Sequence, residues 1–315
     1  MKITVLDANT LGKDLDLSRL SSVGDVTVYD ITEPCNVEER IKDTDVVVLN
    51  KIKLNETNLA GAKNLKLICV TATGYDNIDV AYCNTRNIQV SNIVGYSTNS
   101  VAQVTVATVL ELATHIREYN RYVTSGNYTN NGVANRVSPV FHELSGKTWG
   151  IIGLGNIGKK VANIAKAFGC RVIAFKRTPD TEYECCDLET LCKNSDIISI
   201  HTPLNESTRN MISKKELDMM KPSVIIYNAA RGAVTDENAV ADAILAGKVG
   251  AFGCDVYSIE PFPSSHPMQK IAKLDNVCLT PHMAWASFEA RNLCIDEVIL
   301  NIESFKNGIK RNSVN

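Results

Sequence analysis

Three polar side chains that could perform acid–base and anion-binding chemistry each follow an apolar run in the second half of the chain. They are Arg231 in NAARGAVTDENAV, Glu260 in CDVYSIEPFP and His282 in NVCLTPHMAWAS. A histidine can give a proton to a developing alkoxide, a carboxylate can bond its other ring nitrogen, and an arginine can pair with a carboxylate and polarise a carbonyl. Each residue alone is more often a solvated or capping group. Together they are what the reduction of a 2-oxo acid requires.

A glycine-rich turn lies upstream, in GIIGLGNIGKKVANIAKAFG. Gly153, Gly155 and Gly158 form G-x-G-x-x-G directly after an apolar strand pattern and directly before a helix pattern. In that context the first glycine permits a tight turn, the second lets a pyrophosphate approach, and the third lets helix and strand pack closely. The motif alone is weak evidence, but the strand and helix around it favour dinucleotide binding over a turn without a ligand.

Two cations stand where this kind of unit normally carries an acid for the ribose 2′-hydroxyl. Counting about 20 residues from the glycine turn reaches Lys176, with Arg177 next, in FGCRVIAFKRTPD. A 2′-phosphate attracts cations, whereas a 2′-hydroxyl does not need them. The stretch therefore favours NADP(H) over NAD(H), and the alternative is that both residues are solvated loop charges.

Short β-branched runs alternate with helical segments along the whole chain. Such alternation predicts parallel strands joined by helices, so we expect an α/β fold made of two units, each with a doubly wound parallel sheet. Segments 97–126 and 287–308 each read as one long helix. The second could carry the chain back to the first domain, which would make that domain discontinuous.

Composition excludes several other classes of protein. The chain has 315 residues, 44% of them apolar, and a formal net charge of −2, which gives no electrostatic case for nucleic acid or an anionic membrane. No apolar stretch is long enough to span a bilayer and no leader pattern begins the sequence, so we expect a cytoplasmic protein. The ten cysteines show no metal spacing, so we expect reduced thiols and no metal.

These motifs resemble the D-2-hydroxyacid dehydrogenase family. The similarity runs essentially from end to end, through TATGYDNIDV, NIVGYSTNSVAQ, GKTWGIIGLGNIGKKVA, IISIHTPLNESTRNMI, NAARGAVTDENAV, CDVYSIEPFP and LTPHMAW. The resemblance implies that Arg231, Glu260 and His282 are catalytic. The cofactor contacts expected from the resemblance and from the residue count are Thr105, Gly153, Gly155, Asn156, Ile157, Gly158, Lys176, Arg177, His201, Thr202, Pro203, Ala229, Ala230 and Asp255.

The resemblance also implies a substrate site and two departures from the family pattern. Backbone amides of Thr73 and Gly74 would hold the substrate carboxylate together with Arg231, and Lys51 would face the cleft, although a solvated loop lysine explains it equally well. The family usually has an apolar residue where Thr73 stands. NAD-type members have Asp where Lys176 stands.

The family architecture implies two Rossmann-like domains with an active-site cleft between them, and a homodimer. The substrate domain would be residues 1–97 plus 286–315, and the cofactor domain residues 98–285. GYSTNSVAQ and PHMAWAS are most similar to glycerate dehydrogenases, also called hydroxypyruvate reductases, so we expect a small 2-oxo acid such as hydroxypyruvate or glyoxylate as substrate. Two alternatives stay open: a reductase of branched or aromatic 2-oxo acids, and a dinucleotide-sensing binding protein of the same fold.

Overall fold

The computed structural model describes residues 1–178 and 180–315. This part of the chain divides into two compact units, the first made of residues 1–97 and 286–315 and the second of residues 98–285. The strands are β1 Lys2–Val5, β2 Asp25–Val28, β3 Val46–Leu49, β4 Leu67–Val70, β5 Gln89–Ser91, β6 Thr148–Ile152, β7 Arg171–Phe175, β8 Glu184–Cys185, β9 Ile197–Ile200, β10 Ile225–Asn228, β11 Ala251–Cys254 and β12 Val277–Leu279. The α-helices are α1 Val37–Ile41, α2 Glu56–Leu59, α3 Val80–Thr85, α4 Thr98–Thr114, α5 Ile116–Thr124, α6 Asn127–Asn131, α7 Asn156–Ala167, α8 Leu188–Asn194, α9 Lys214–Met219, α10 Glu237–Leu245 and α11 Phe288–Lys306.

The first unit is built on a parallel sheet of order β2-β1-β3-β4-β5. Its central strands β3 and β4 are buried at every position, whereas the edge strand β2 is largely exposed. A strand covered by helices on both faces must be apolar throughout, which explains the runs VVVL and LICV. Because β1 and β3 are neighbours at the point where the order reverses, the loops after them meet at the carboxyl edge of the sheet.

The second unit is a larger parallel sheet of order β8-β7-β6-β9-β10-β11-β12. The strand order reverses between β6 and β9, where an open α/β sheet forms its ligand crevice. The glycine-rich turn follows β6, and the loops that carry the predicted catalytic residues follow β10, β11 and β12. The two parallel sheets confirm the predicted fold class. The short strand β8 was not predicted, because two residues leave no readable pattern.

The first long helical segment differs from its prediction. It forms α4 and α5 rather than one helix, because His115 between them adopts a left-handed backbone with φ of +53°. The second segment is the continuous helix α11, as predicted. Its N-cap, Ser287, accepts a hydrogen bond from the Ala290 amide, and Gly308 follows its end with φ of +71°, a common helix stop.

In the part of the chain that the structure describes, no helix is long and apolar enough to cross a membrane. The ten cysteines are free thiols. Burial raises the pKa of the Cys192 thiol to about 12, so this side chain packs as a small apolar group.

Candidate active site

The glycine-rich turn has the shape of a phosphate cradle. Gly153 has φ of +93°, and a Cβ there would lie 2.7 Å from the Thr202 amide nitrogen. A Cβ on Gly158 would lie 2.2 Å from the Gly153 carbonyl oxygen, whereas a Cβ on Gly155 would meet no atom within 4 Å. The first and third glycines are thus required by the fold. The second borders open space at the amino end of α7, where backbone N–H groups favour anions, so these residues fit a dinucleotide.

An acid that the residue count did not find lies beside Lys176. One oxygen of Asp180, Oδ2, is 2.9 Å from Lys159 Nζ and 3.5 Å from Lys176 Nζ. The Lys159 ammonium lowers the pKa of Asp180 to about 2, so the carboxylate is ionised at neutral pH. Arg177, the second predicted cation, is exposed after β7.

His201 follows β9 and lies against the same turn. A Cβ on Gly153 would be only 2.7 Å from the His201 carbonyl carbon. Both ring nitrogens of His201 are buried and have no hydrogen-bond partner among the described residues. Burial lowers its pKa to about 3, so the imidazole is neutral. The backbone of His201 thus borders the glycine turn, and its ring is a buried neutral group.

The buried side chain of Asn228 stabilises the turn that carries Arg231. Its Nδ2 donates to the Arg231 carbonyl oxygen at 3.0 Å, and its Oδ1 accepts from the Ala230 amide at 3.0 Å. Asn228 is the last residue of β10, so this amide fixes where Arg231 leaves the sheet. Ala229 is half-buried and Ala230 is buried in this turn.

The predicted acid–base pair is formed. Glu260 Oε2 lies 2.6 Å from His282 Nδ1, and Glu260 Oε1 accepts from the Tyr257 amide at 2.9 Å. The Glu260 and His282 side chains are 27% and 23% exposed, respectively. Because Nδ1 faces Glu260, a proton transfer from this ring to a substrate would use Nε2.

The loop that carries His282 is anchored by Asp255. The Asp255 carboxylate accepts from Thr280 Oγ1 at 2.7 Å and from the amides of Met283 and Ala284 at 2.8 and 2.9 Å. Burial raises the pKa of Asp255, and these hydrogen bonds act in the opposite direction. The sequence predicts a contact from Asp255 to the cofactor carboxamide. The structure adds that Asp255 shapes the turn around His282, which has a left-handed φ of +55°.

A second anchor joins the loops that carry Arg231 and Glu260. Glu237, buried at the start of α10, accepts from the Ser258 amide at 2.9 Å, from the Ser258 hydroxyl, and from His266 Nε2 at 3.0 Å. The loops touch directly, since a Cβ on Gly232 would lie 2.2 Å from the Ser258 amide nitrogen. Sequence reasoning missed Glu237 and His266, because no spacing pattern links them.

The predicted substrate residues of the first unit lie on two loops at the carboxyl edge of its sheet. Thr73 Oγ1 donates to the Ile93 carbonyl oxygen at 2.8 Å, and Gly74 follows it, half-buried. The Lys51 side chain is exposed, and its amide donates to Asp7 Oδ2 at 2.6 Å. Burial raises the pKa of Asp7, with the backbone hydrogen bonds opposing it. Asp7 thus fixes the backbone of the Lys51 loop.

The remaining predicted cofactor residues surround the glycine turn or lie on α4. Asn156 and Ile157 are the first two residues of α7, and Thr202 and Pro203 follow His201 after β9. Thr105 is fully buried on α4 and donates its hydroxyl to the Val101 carbonyl oxygen at 2.7 Å. Their contacts with a cofactor stay predictions.

Residues 106–284 match the family model described as D-isomer specific 2-hydroxyacid dehydrogenase, NAD binding domain. The chain belongs to this family. A hydroxypyruvate reductase from Blautia hydrogenotrophica is 37% identical over 324 residues and a glycerate dehydrogenase from Methylorubrum extorquens is 34% identical over 314 residues. The alignment covers 100% of both chains in the first case, and 99% of this chain and 98% of the relative in the second.

Solved structures show the same relationship. An acyclic imino acid reductase in complex with NADPH and D-Arg has a TM-score of 0.86 at 29% identity, with 100% of both chains covered. The D-lactate dehydrogenase of Aquifex aeolicus, complexed with NAD and lactic acid, has a TM-score of 0.86 at 28% identity, covering 98% of this chain and 96% of the other. The chain is therefore an NAD(P)-dependent oxidoreductase of the D-2-hydroxyacid dehydrogenase family, which confirms the predicted fold and reaction class.

Proposed function

We propose that this protein reduces hydroxypyruvate, and the smaller glyoxylate, as a D-glycerate dehydrogenase. The observation that carries the chemistry is the 2.6 Å contact between His282 and Glu260, on loops at the carboxyl edge of the sheet that carries the glycine cradle. The names of the two full-length relatives, hydroxypyruvate reductase and glycerate dehydrogenase, support this substrate class.

The cofactor would be held by the cradle of Gly153, Gly155 and Gly158, with Thr202 and the neutral His201 beside it. When bound, the reduced nicotinamide supplies the hydride that reduces the substrate carbonyl. Asp255 stands at the end of β11, where a buried carboxylate can accept from the amide group of the ring, while two of its acceptor positions stay engaged with the His282 loop.

The chain's own residues then act on the substrate. His282 gives its proton from Nε2 to the carbonyl oxygen as negative charge develops there, and Glu260 holds the ring in place through Nδ1. Arg231 pairs with the substrate carboxylate and polarises the carbonyl. The backbone amides of Thr73 and Gly74, with Lys51 nearby on its Asp7-anchored loop, would bind the carboxylate as well.

We further propose NADPH as the preferred cofactor, on the basis of Lys176 and Arg177, and a homodimer. Five exposed apolar side chains in the second unit are compatible with the dimer, since contact with a second copy would remove them from water. They are Ile116, Val123, Val137, Val140 and Phe141. The assignment of substrate binding to the first unit and cofactor binding to the second, and a cytoplasmic location, are part of the same proposal.

The test is a panel of 2-oxo acids assayed with both NADPH and NADH. We expect the highest kcat/KM with hydroxypyruvate, measurable turnover of glyoxylate, and D-glycerate as the product of hydroxypyruvate. Higher kcat/KM for branched or aromatic 2-oxo acids would assign the second candidate substrate class. Tight cofactor binding without turnover of any 2-oxo acid would point to a dinucleotide-sensing protein. Sedimentation analysis measures the dimer independently.

A further inference from the structure

We propose that Asp180 is a specificity-determining residue of the nucleotide site, which weakens selection for a 2′-phosphate by engaging the ammonium groups of Lys176 and Lys159. The inference rests on the proposed nucleotide site and deepens it. It concerns how strongly the site discriminates between 2′-phosphorylated and unphosphorylated nucleotides, which is separate from which 2-oxo acid is reduced.

The geometry ties Asp180 to both elements that border the adenosine end of the cradle. Lys159 is the fourth residue of α7, directly after the glycine turn, and Lys176 follows β7. The Asp180 side chain is only 8% exposed, against 40% for Lys159 and 34% for Lys176. The carboxylate thus lies beneath the two ammonium groups, at 2.9 and 3.5 Å.

The loop holds Asp180 in this place from its own backbone. Its Oδ1 accepts from the Glu182 amide at 3.0 Å, and its amide donates to Cys185 Sγ at 3.3 Å. The other carboxylate near Lys159, Glu182, is 3.7 Å from the ammonium group and 72% exposed. Of the two acids, Asp180 is therefore the one fixed in position against both cations.

The consequence for nucleotide choice follows from charge. A 2′-phosphate carries close to two negative charges. The Lys176 ammonium that would attract it is already paired with the Asp180 carboxylate, and this carboxylate would repel the phosphate. A 2′-hydroxyl carries no charge and suffers no such repulsion. Asp180 should thus reduce the advantage that Lys176 and Arg177 give to NADPH.

The experiment measures dissociation constants of two fragments by calorimetry, without turnover. The fragments 2′,5′-ADP and 5′-AMP differ only in the 2′-phosphate. We expect Asp180→Asn to bind 2′,5′-ADP about fivefold more tightly than wild type, which corresponds to the interaction energy of a partly exposed ion pair. Its affinity for 5′-AMP should stay within about twofold of wild type. Adding Lys176→Ala should remove most of that gain, and salt should diminish it.

Two variants separate charge from structure. Glu182→Gln removes the exposed acid and should leave both fragments within about twofold of wild type, and Asp180→Glu keeps the charge and should keep the wild-type ratio. Asp180→Ser repeats the charge loss with a smaller side chain. An unchanged 2′,5′-ADP affinity in folded Asp180→Asn and Asp180→Ser overturns the proposal. Weaker 5′-AMP binding in both would also overturn it, since Asp180 would then be a ribose acceptor.

The outcomes also distinguish this inference from the proposed function. If wild type prefers neither fragment while Asp180→Asn prefers 2′,5′-ADP, the proposed NADPH preference is wrong and the role of Asp180 stands. If hydroxypyruvate is not reduced, the substrate assignment fails and the fragment ratios still decide the role of Asp180.

Discussion

Glu260 Oε2 and His282 Nδ1 are 2.6 Å apart, although the residues are 22 positions apart in the chain and lie on different loops. The contact exists because each loop has its own anchor: the Tyr257 amide holds the other oxygen of Glu260, and Asp255 holds the amides that follow His282. The negative charge of the Glu260 carboxylate strengthens its hydrogen bond to the ring and holds the imidazole in place.

Glu260→Gln removes that charge and keeps the shape. A neutral amide bonds the ring nitrogen more weakly than a carboxylate does, so the imidazole should be held less firmly. We expect kcat for reduction to fall about tenfold with little change in cofactor affinity. The measurements are kcat with hydroxypyruvate and calorimetric cofactor binding. Glu206→Gln, at an exposed position of the same unit, is the control and should reproduce both wild-type values. Equal kcat values for Glu260→Gln and wild type would show that the carboxylate does not position His282.

His282→Ala removes the proposed general acid. Loss of such a group lowers the rate on the order of 10²–10⁴-fold, and we expect this loss in kcat, with cofactor affinity within about threefold because the cradle glycines lie on another loop. Single-turnover kinetics and calorimetric cofactor binding measure the two effects separately. Near-native turnover in this variant would falsify the assignment of His282.

The placement of Arg231, Glu260 and His282 at one edge of the sheet could be predicted from sequence. Each follows an apolar strand pattern, and the ends of parallel strands meet at one edge. Asp180 could not be predicted, because it lies on the β7–β8 loop beyond the position that the residue count reaches. Glu237 could not be predicted either, because its partners Ser258 and His266 lie on a loop more than 20 residues further along the chain. Contacts of this kind depend on burial and loop packing, which no local pattern records.

The break between α4 and α5 was missed for a related reason. The apolar pattern continues across His115, whose left-handed φ of +53° is a local conformation that helical periodicity does not reveal. The long helix α11 carries Ser287 at its N-cap and a glycine after its end, and its bounds were accordingly readable.

The first two glycines of the cradle should respond differently to a methyl group. In Gly153→Ala the added Cβ would lie 2.7 Å from backbone atoms, and the residue would have to keep a φ of +93°. The substitution should therefore lower the free energy of unfolding by about 1–3 kcal/mol. Gly155→Ala meets open space, so it should leave unfolding unchanged while weakening cofactor binding at least about tenfold, because the methyl group would occupy the space a phosphate needs. Thermal unfolding of the free protein and calorimetric binding separate the two. Destabilisation by Gly155→Ala would contradict the open-cradle interpretation.

Glu237→Gln should loosen the loops that carry Arg231 and Glu260. One carboxylate accepts from the Ser258 amide, the Ser258 hydroxyl and His266, and a glutamine must place its NH₂ group against one of these donors. A buried donor left unpaired costs about 1–3 kcal/mol of stability. We expect that loss in denaturant unfolding, together with lower kcat and little change in cofactor affinity. Glu289→Gln, at an exposed position of α11, is the control, and equal unfolding midpoints for the two variants would contradict the anchor.

His201 makes the free protein sensitive to acid. Burial lowers its pKa to about 3 from an ordinary 6.5, so between these values the unfolded chain binds a proton that the folded chain does not, and stability falls as pH falls. From pH 6.5 to 5 the loss amounts to about 2 kcal/mol. His201→Gln has no such proton, so its free energy of unfolding should fall by about 2 kcal/mol less over this range. His142→Gln changes an exposed histidine of the same unit and should parallel wild type. Parallel curves for His201→Gln and wild type would mean that the ring is not buried as a neutral group.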